Sequence, residues 1–226
     1  MQITEIYRSI QGESSFAGLP CTFVRLTACN LRCTWCDSEY TFTGGKRMSP
    51  DEVEQDVVQL SPSGLVEFTG GEPMLQEREL VPLMQRLLAR GYTLLLETSG
   101  ERPLEEVPKE VHKIVDVKCP GSGEGGSFRQ TNLETLTARD EVKFVLADRT
   151  DYEFARDFTR SHGLETRVHN VLFSPVFLKE PSADRDTSNC RLDPRLLAEW
   201  ILEDKLNVRL GLQIHKFIWQ PATKGV

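Results

Sequence analysis

The sequence predicts an α/β fold in which a parallel sheet curls into a partial, laterally open barrel. Three observations carry that expectation. Apolar, β-branched stretches alternate with amphipathic helical stretches along the chain, an order that gives parallel strands with crossover helices outside them. About seven such strands can be counted, too few for a comfortable closed eight-stranded (β/α) barrel of the TIM type. Strand after strand ends in a turn of small and polar residues, where α/β proteins place their ligand sites.

Ile6-Tyr7-Arg8-Ser9-Ile10-Gln11-Gly12-Glu13 and the residues up to Gly18 read as a polar, Gly-containing turn between two short apolar stretches. Cys21-Thr22-Phe23-Val24-Arg25-Leu26-Thr27 reads as a buried strand. Arg25 interrupts it, and a cation there needs an anionic partner, either a structural carboxylate such as Glu13 or the carboxylate of a ligand. After a Gly-containing connector over 41–47, Ser49-Pro50-Asp51-Glu52 opens a helix with a capping box and a proline in its first turn. Val53, Val57 and Leu60 recur on its inward face. A strand over 64–68 ends in Thr69-Gly70-Gly71-Glu72-Pro73. Such glycines let backbone approach a ligand closely, with the Glu72 carboxylate and carbonyls beside it, although Gly-Gly also makes an ordinary turn.

Residues 76–90 form an amphipathic helix with Leu80, Leu83, Met84, Leu87 and Leu88 at helical spacing and Gly91 as its stop. Strands follow over 92–97, 112–117, 140–147 and 168–173. The first empties into Thr98-Ser99-Gly100 and the second into Lys118-Cys119-Pro120. A helix over 150–162 stops at Gly163, a polar irregular loop runs over 179–190, and Asp193-Pro194 starts a last helix that buries Leu197, Trp200 and Ile201. A strand over 208–213 precedes Ile214-His215-Lys216-Phe217-Ile218-Trp219.

A chain of 226 residues with 39% hydrophobic content fits one domain, 1–226, with a sizeable core. The formal net charge is -7 and no block of Lys and Arg stands out, so extended nucleic-acid binding is not expected. No apolar stretch approaches membrane-spanning length, and Met1-Gln2-Ile3-Thr4-Glu5 lacks the basic and apolar regions of a signal peptide, so the expected location is cytoplasmic, away from membranes. Of six cysteines, Cys21, Cys119 and Cys190 are isolated, which argues against a disulfide framework and for a reducing compartment.

The other three stand in Cys29-Asn30-Leu31-Arg32-Cys33-Thr34-Trp35-Cys36-Asp37-Ser38, directly after a predicted strand. Thiolates at that spacing can close on three corners of an iron–sulfur cube and leave the fourth iron open to a chelating molecule. A structural zinc site that borrows a fourth ligand, or three inert buried thiols, is the plainer reading.

This cysteine pattern, followed in the same α/β chain by Gly70-Gly71-Glu72-Pro73, resembles the radical S-adenosylmethionine enzymes. Within that superfamily the chain resembles the 7-carboxy-7-deazaguanine synthase family over nearly its whole length. The carrying residues are Ile10-Gln11-Gly12-Glu13, Phe23-Val24-Arg25-Leu26, Cys36-Asp37-Ser38, Glu97-Thr98-Ser99-Gly100 and Gln213-Ile214-His215-Lys216. The resemblance implies a partial TIM-like barrel of the radical S-adenosylmethionine type and a lyase reaction. In that reaction 6-carboxy-5,6,7,8-tetrahydropterin becomes 7-carboxy-7-deazaguanine with loss of ammonia, on the way to queuosine and related 7-deazapurines. The implied route is hydrogen removal from the pterin by a 5′-deoxyadenosyl radical, ring contraction, and return of the hydrogen.

The resemblance also implies a distribution of roles. Cys29, Cys33 and Cys36 would hold a 4Fe–4S cluster, and Ser38 would contact Mg2+. Trp35, Cys36, Asp37, Gly70, Gly71, Glu72, Gly100, Lys118, Cys119 and Pro120 would form the S-adenosylmethionine pocket. Ile10, Gln11, Gly12, Glu13, Arg25, Thr98 and His215 would receive the pterin. Arg25 suits a substrate carboxylate, and Gln11, Gly12 and Glu13 suit the donors and acceptors of a pyrimidine edge. A flavodoxin or ferredoxin donor and a homodimer are implied as well. Some family members end near the His-Lys stretch with the terminal carboxylate at the substrate, whereas here 220–226 extends further. The rival readings are an activase that installs a glycyl radical on a partner protein, and a non-catalytic electron carrier or zinc module.

Overall fold

A computed structural model describes residues 1–61, 64–220, 223 and 225. The strands are β1 (Gln2–Ile10), β2 (Pro20–Leu26), β3 (Lys46–Arg47), β4 (Leu65–Gly70), β5 (Thr93–Thr98), β6 (His112–Asp116), β7 (Glu141–Leu146), β8 (Asn170–Pro175) and β9 (Arg209–Leu210). They form one sheet in the order β3-β1-β2-β4-β5-β6-β7-β8-β9. From β2 to β9 every neighbouring pair is parallel, as the alternating pattern predicts. The α-helices are α1 (Pro50–Leu60), α2 (Glu77–Ala89), α3 (Arg149–Ser161), α4 (Leu164–Arg167), α5 (Pro194–Glu203) and α6 (His215–Ile218). Among the described residues no helix is long and apolar enough to cross a membrane.

Two strands escape the sequence pattern. β1 runs antiparallel to β2 over Ile3 to Ile10, and β3 caps its far edge, so among the described residues nine strands replace the expected seven. β1 mixes charged and apolar residues because it is half-buried near an edge, and its pairing with β2 is a tertiary contact that a local pattern does not report. At the other edge, the strand expected over 208–213 contracts to Arg209–Leu210. The capping box of α1 forms as read: the Glu52 amide donates to Ser49 Oγ at 3.2 Å and the Ser49 amide donates to Glu52 Oε2 at 2.7 Å. Val53 and Val57 are buried, but Leu60, at the end of the helix, is exposed.

Strand alternation then decides what faces where. Val24, Leu26, Val66, Phe68, Leu94, Leu96, Val115, Phe144 and Phe173 face the helices and share the main core with Leu80, Leu83, Met84 and Leu87. The residues between them face the barrel interior. At one end this interior is an apolar plug of Cys21, Phe23, Leu65, Leu95 and Ile114. One step further along the same strands stand Arg25, Glu67, Glu97 and Asp116, joined by Lys143 of the neighbouring β7. The polar residues are thus raised on an apolar floor towards the carboxyl ends of the strands.

Candidate active site

A cavity of about 610 Å³ lies over that polar layer, with the cysteine loop on its wall. The loop leaves β2 through Ala28, whose φ of 81° is a conformation rarely adopted by alanine. Backbone bonds hold it there. The Gly71 amide donates to Leu26 O at 3.2 Å, the Glu72 amide to Ala28 O at 2.8 Å, and the Ala28 amide to Thr41 O at 2.7 Å. A side chain at either glycine would break this zipper. A Cβ on Gly70, whose φ is 138°, would stand 2.2 Å from Leu26 O, and one on Gly71 would stand 2.1 Å from Ala28 O. The glycines therefore admit the backbone of the cysteine loop itself, a reason for them that the turn reading did not include.

The outer part of the loop is tied to the turn after β6. Thr34 donates through its amide to Ser122 O at 2.9 Å and through Oγ1 to Gly121 O at 3.1 Å, and the Arg32 amide donates to Glu124 Oε1 at 2.5 Å. Cys29, Cys33 and Cys36 are free thiols, half-buried and all on the cavity wall. Burial raises all three, Cys33 to about 11, while the ammonium of Lys118 pulls the other way. A cluster held by these thiols would displace their protons. Among the described residues no three His, Cys, Asp or Glu side chains gather for a single metal ion. A cube instead takes one thiolate at each of three irons. Three free thiols on one wall of a cavity suit that requirement.

The polar layer is knitted by Lys143. Its ammonium donates to Glu13 Oε2 at 2.8 Å and to Glu97 Oε1, and lies 3.8 Å from Asp116 Oδ2. Gln213 Nε2 donates to the other oxygen of Glu13 at 2.8 Å. Burial works against charge on Glu13, but Lys143 and then His215 hold its carboxyl below the ordinary range. Glu67 is the opposite case. Burial, followed by the neighbouring carboxylates Glu97 and Glu13, raises it well above the ordinary range, and it accepts a short hydrogen bond from Gln11 Nε2.

At the mouth, Arg25 donates through Nε to Glu5 Oε1 and through Nη2 to Tyr7 Oη, both at 2.9 Å. Its structural partner is therefore Glu5, on the unrecognised strand β1, and not Glu13. Asp37 accepts from Lys216 Nζ at 2.6 Å and from Ser38 Oγ at 3.0 Å. His215 packs on Gly12 so closely that a Cβ there would lie 1.9 Å from its Nδ1. Burial, only partly offset by Glu13, lowers the His215 imidazole below its ordinary value. Thr223 and Gly225 also line the cavity, whereas Pro221, Ala222, Lys224 and Val226 lie outside the described residues.

A profile of the Radical SAM superfamily matches residues 24–120, the span from β2 through the cysteine loop to the turn after β6. The chain is 69% identical over 226 residues to a 7-carboxy-7-deazaguanine synthase of Koribacter versatilis, with 100% of both chains covered. It belongs to the 7-carboxy-7-deazaguanine synthase family. A second member, from Chlorobaculum tepidum, is 41% identical over 100% of this chain and 97% of its own. The crystal structure of QueE from Escherichia coli shares the fold, with a TM-score of 0.71 at 22% identity over 94% of this chain and 93% of that one. Membership in this radical S-adenosylmethionine family makes the chain an enzyme that uses a 4Fe–4S cluster and S-adenosylmethionine.

Of the residues expected in the site of a 7-carboxy-7-deazaguanine synthase, Ile10, Gln11, Gly12, Glu13, Arg25, Cys29, Cys33, Trp35, Cys36, Asp37, Ser38, Gly70, Gly71, Thr98, Lys118 and His215 all line the cavity. Four do not. Glu72 is fully buried, and its carboxylate is occupied by the Met74 amide, the Thr98 hydroxyl, and the Ser99 amide and hydroxyl. It acts as a strut between the ends of β4 and β5. Gly100 is closed off because its carbonyl accepts from the Arg129 amide and Asn132 Nδ2, and a Cβ would strike Val115 and Phe128. Cys119 is buried with its sulfur turned to Val117 O, and Pro120 is exposed on the outer side of the turn. Sequence reading missed Glu67, Glu97, Asp116 and Lys143 on the cavity wall. Glu67 and Glu97 are lone charges in apolar strands, the signal that singled out Arg25, whereas Asp116 shares β6 with Lys113 and Lys143 shares β7 with Glu141.

Proposed function

We propose that this chain converts 6-carboxy-5,6,7,8-tetrahydropterin to 7-carboxy-7-deazaguanine with loss of ammonia. The observation that carries the reading is 69% identity across the full length of a relative named for that product. The cluster and S-adenosylmethionine supply radical initiation when bound, and the chain's own residues bind, orient and shield. Cys29, Cys33 and Cys36 hold the cluster, and Lys118, Trp35, Asp37 and the Gly70–Gly71 backbone face the S-adenosylmethionine side of the cavity. Arg25 meets the substrate carboxylate with its orientation fixed by Glu5 and Tyr7. Glu13, held by Lys143 and Gln213, offers a fixed carboxylate to the N–H donors of the pyrimidine edge. His215 and Thr98 border the same space.

Ser38 belongs to the Mg2+ side. Its hydroxyl donates to Asp37 and keeps its lone pairs for a cation, and such hard oxygen donors suit magnesium. A flavodoxin or ferredoxin donates the electron, the enzyme works in the cytoplasm, and two copies form a homodimer. Anaerobic incubation with S-adenosylmethionine, reductant and the carboxypterin, read by mass spectrometry, tests the reaction. The expected product is 7-carboxy-7-deazaguanine. Formation of 5′-deoxyadenosine with the pterin left intact overturns the substrate assignment.

A further inference from the structure

Lys216 takes no part in the roles so far assigned, yet its placement is specific. It sits on α6, next to His215, with its side chain 8% exposed, and its ammonium lies 4.9 Å from the centre of the Phe177 ring. From there it reaches across the cavity mouth to Asp37 Oδ2 at 2.6 Å, joining residues 179 positions apart. The other oxygen of Asp37 accepts the Ser38 hydroxyl proton at 3.0 Å. Ser38 O in turn accepts from both the amide and the Oγ1 of Thr41, at 2.9 and 2.8 Å, which fixes the backbone beneath that hydroxyl. A serine hydroxyl rotates freely unless a partner claims its proton. With Asp37 as that partner, the two lone pairs of Ser38 are set in one direction.

We propose that Lys216 is a positioning residue for the metal side of the site, acting through Asp37 on the Ser38 hydroxyl. The proposal rests on the reading of Ser38 as a Mg2+ contact. A surface carboxylate swings between rotamers, and an exposed ion pair contributes little because ordering both side chains offsets the attraction. Here the lysine is already ordered by burial against Phe177, so the pair orders mainly the aspartate. Lys216 thus does for Asp37 what outer partners do for metal ligands in general: it fixes the group that fixes the ligand. The same lysine ties α6, which carries His215, to the cysteine loop, so metal binding and His215 placement share one support.

The test uses reconstituted enzyme with the cluster oxidised, the carboxypterin present and no reductant, so that nothing turns over. Mn2+ replaces Mg2+ as a paramagnetic probe, and its affinity is read by electron paramagnetic resonance titration. Lys216→Met is expected to weaken Mn2+ binding about tenfold or more, within the range for loss of an outer partner, and Lys216→Arg to restore most of it. Asp37→Asn should reproduce the loss while leaving every side chain of α6 in place. Cluster absorption and circular dichroism identify any variant that has not folded, and Asp37→Asn then carries the test. Wild-type affinity in both Lys216→Met and Asp37→Asn, with affinity lost in Ser38→Ala, overturns the role of Lys216 alone. Wild-type affinity in Ser38→Ala overturns the metal reading and the proposal together.

Discussion

The two walls of the cavity are built in opposite ways. The cysteine loop is one continuous stretch, Cys29 to Ser38: Leu26 and Ala28, which lead into it, bond through backbone to Gly71, Glu72 and Thr41, and Thr34 and Ser38 bond through backbone to Ser122 and Thr41. The polar layer has no continuous stretch. It takes Glu67 from β4, Glu97 from β5, Asp116 from β6, Lys143 from β7 and Glu13 from the loop after β1, and holds them by side-chain charge. The first wall is a local motif that needs particular glycines beside it. The second is a product of register, in which each residue has meaning only through its neighbours on adjacent strands.

The strongest test of this contrast removes one residue from each wall. Cys33→Ala should abolish cluster assembly and all turnover while the folded barrel survives, because the loop is held by backbone. Loss of the visible iron–sulfur absorption with unchanged circular dichroism is the expected result. Lys143→Met should do the reverse and act on the fold. It leaves the partly buried Glu13 and Glu97 and the buried Asp116 without their cation, a change expected to cost at most about 3–5 kcal/mol, read as a shift of the denaturant midpoint. A midpoint equal to wild type would show that the polar layer is not held by charge.

Gly71→Ala sharpens the comparison from the loop side. Its Cβ would meet Ala28 O at 2.1 Å and the Cys29 side chain at 2.9 Å, so the loop must move. Destabilisation of about 1–3 kcal/mol is expected, accompanied by poor cluster retention on dilution. The smallest effect concerns Glu67. Its folded carboxyl is raised, so its contribution to stability is fully present below the ordinary carboxylate value and lost as pH rises through the raised folded value. Glu67→Gln mimics the protonated form, keeps an acceptor for Gln11, and should flatten that loss. Parallel stability–pH curves for variant and wild type would contradict the assignment.

The same contrast explains how much could be read from sequence. The cysteine spacing, the Gly-Gly turn, the α1 capping box and the alternation of strands with helices are short-range signals, and each appears where it was expected. β1 was missed because a mixed-polarity strand near an edge lacks a run of apolar residues, and Glu5 went unnoticed with it. The wrong partner for Arg25 follows from that omission. Motif position does not reveal side-chain direction, and the Thr98 and Ser99 hydroxyls turn the Glu72 carboxylate away from the cavity. Lys143 and Asp116 were legible in principle, as charges inside apolar strands, but their mutual approach depends on the β6–β7 register.

The packing of His215 against Gly12 also bears on how the molecule is made. Ribosomal synthesis delivers these two residues far apart in time, although they form one patch of wall. The bonds that secure Cys29 to Thr34 reach no further along the chain than Glu124, whereas Glu13 waits for Lys143 and Gln213, and Gly12 for His215. A growing chain therefore possesses every anchor of that part of the cysteine loop well before the wall that carries Glu13 and His215 is complete.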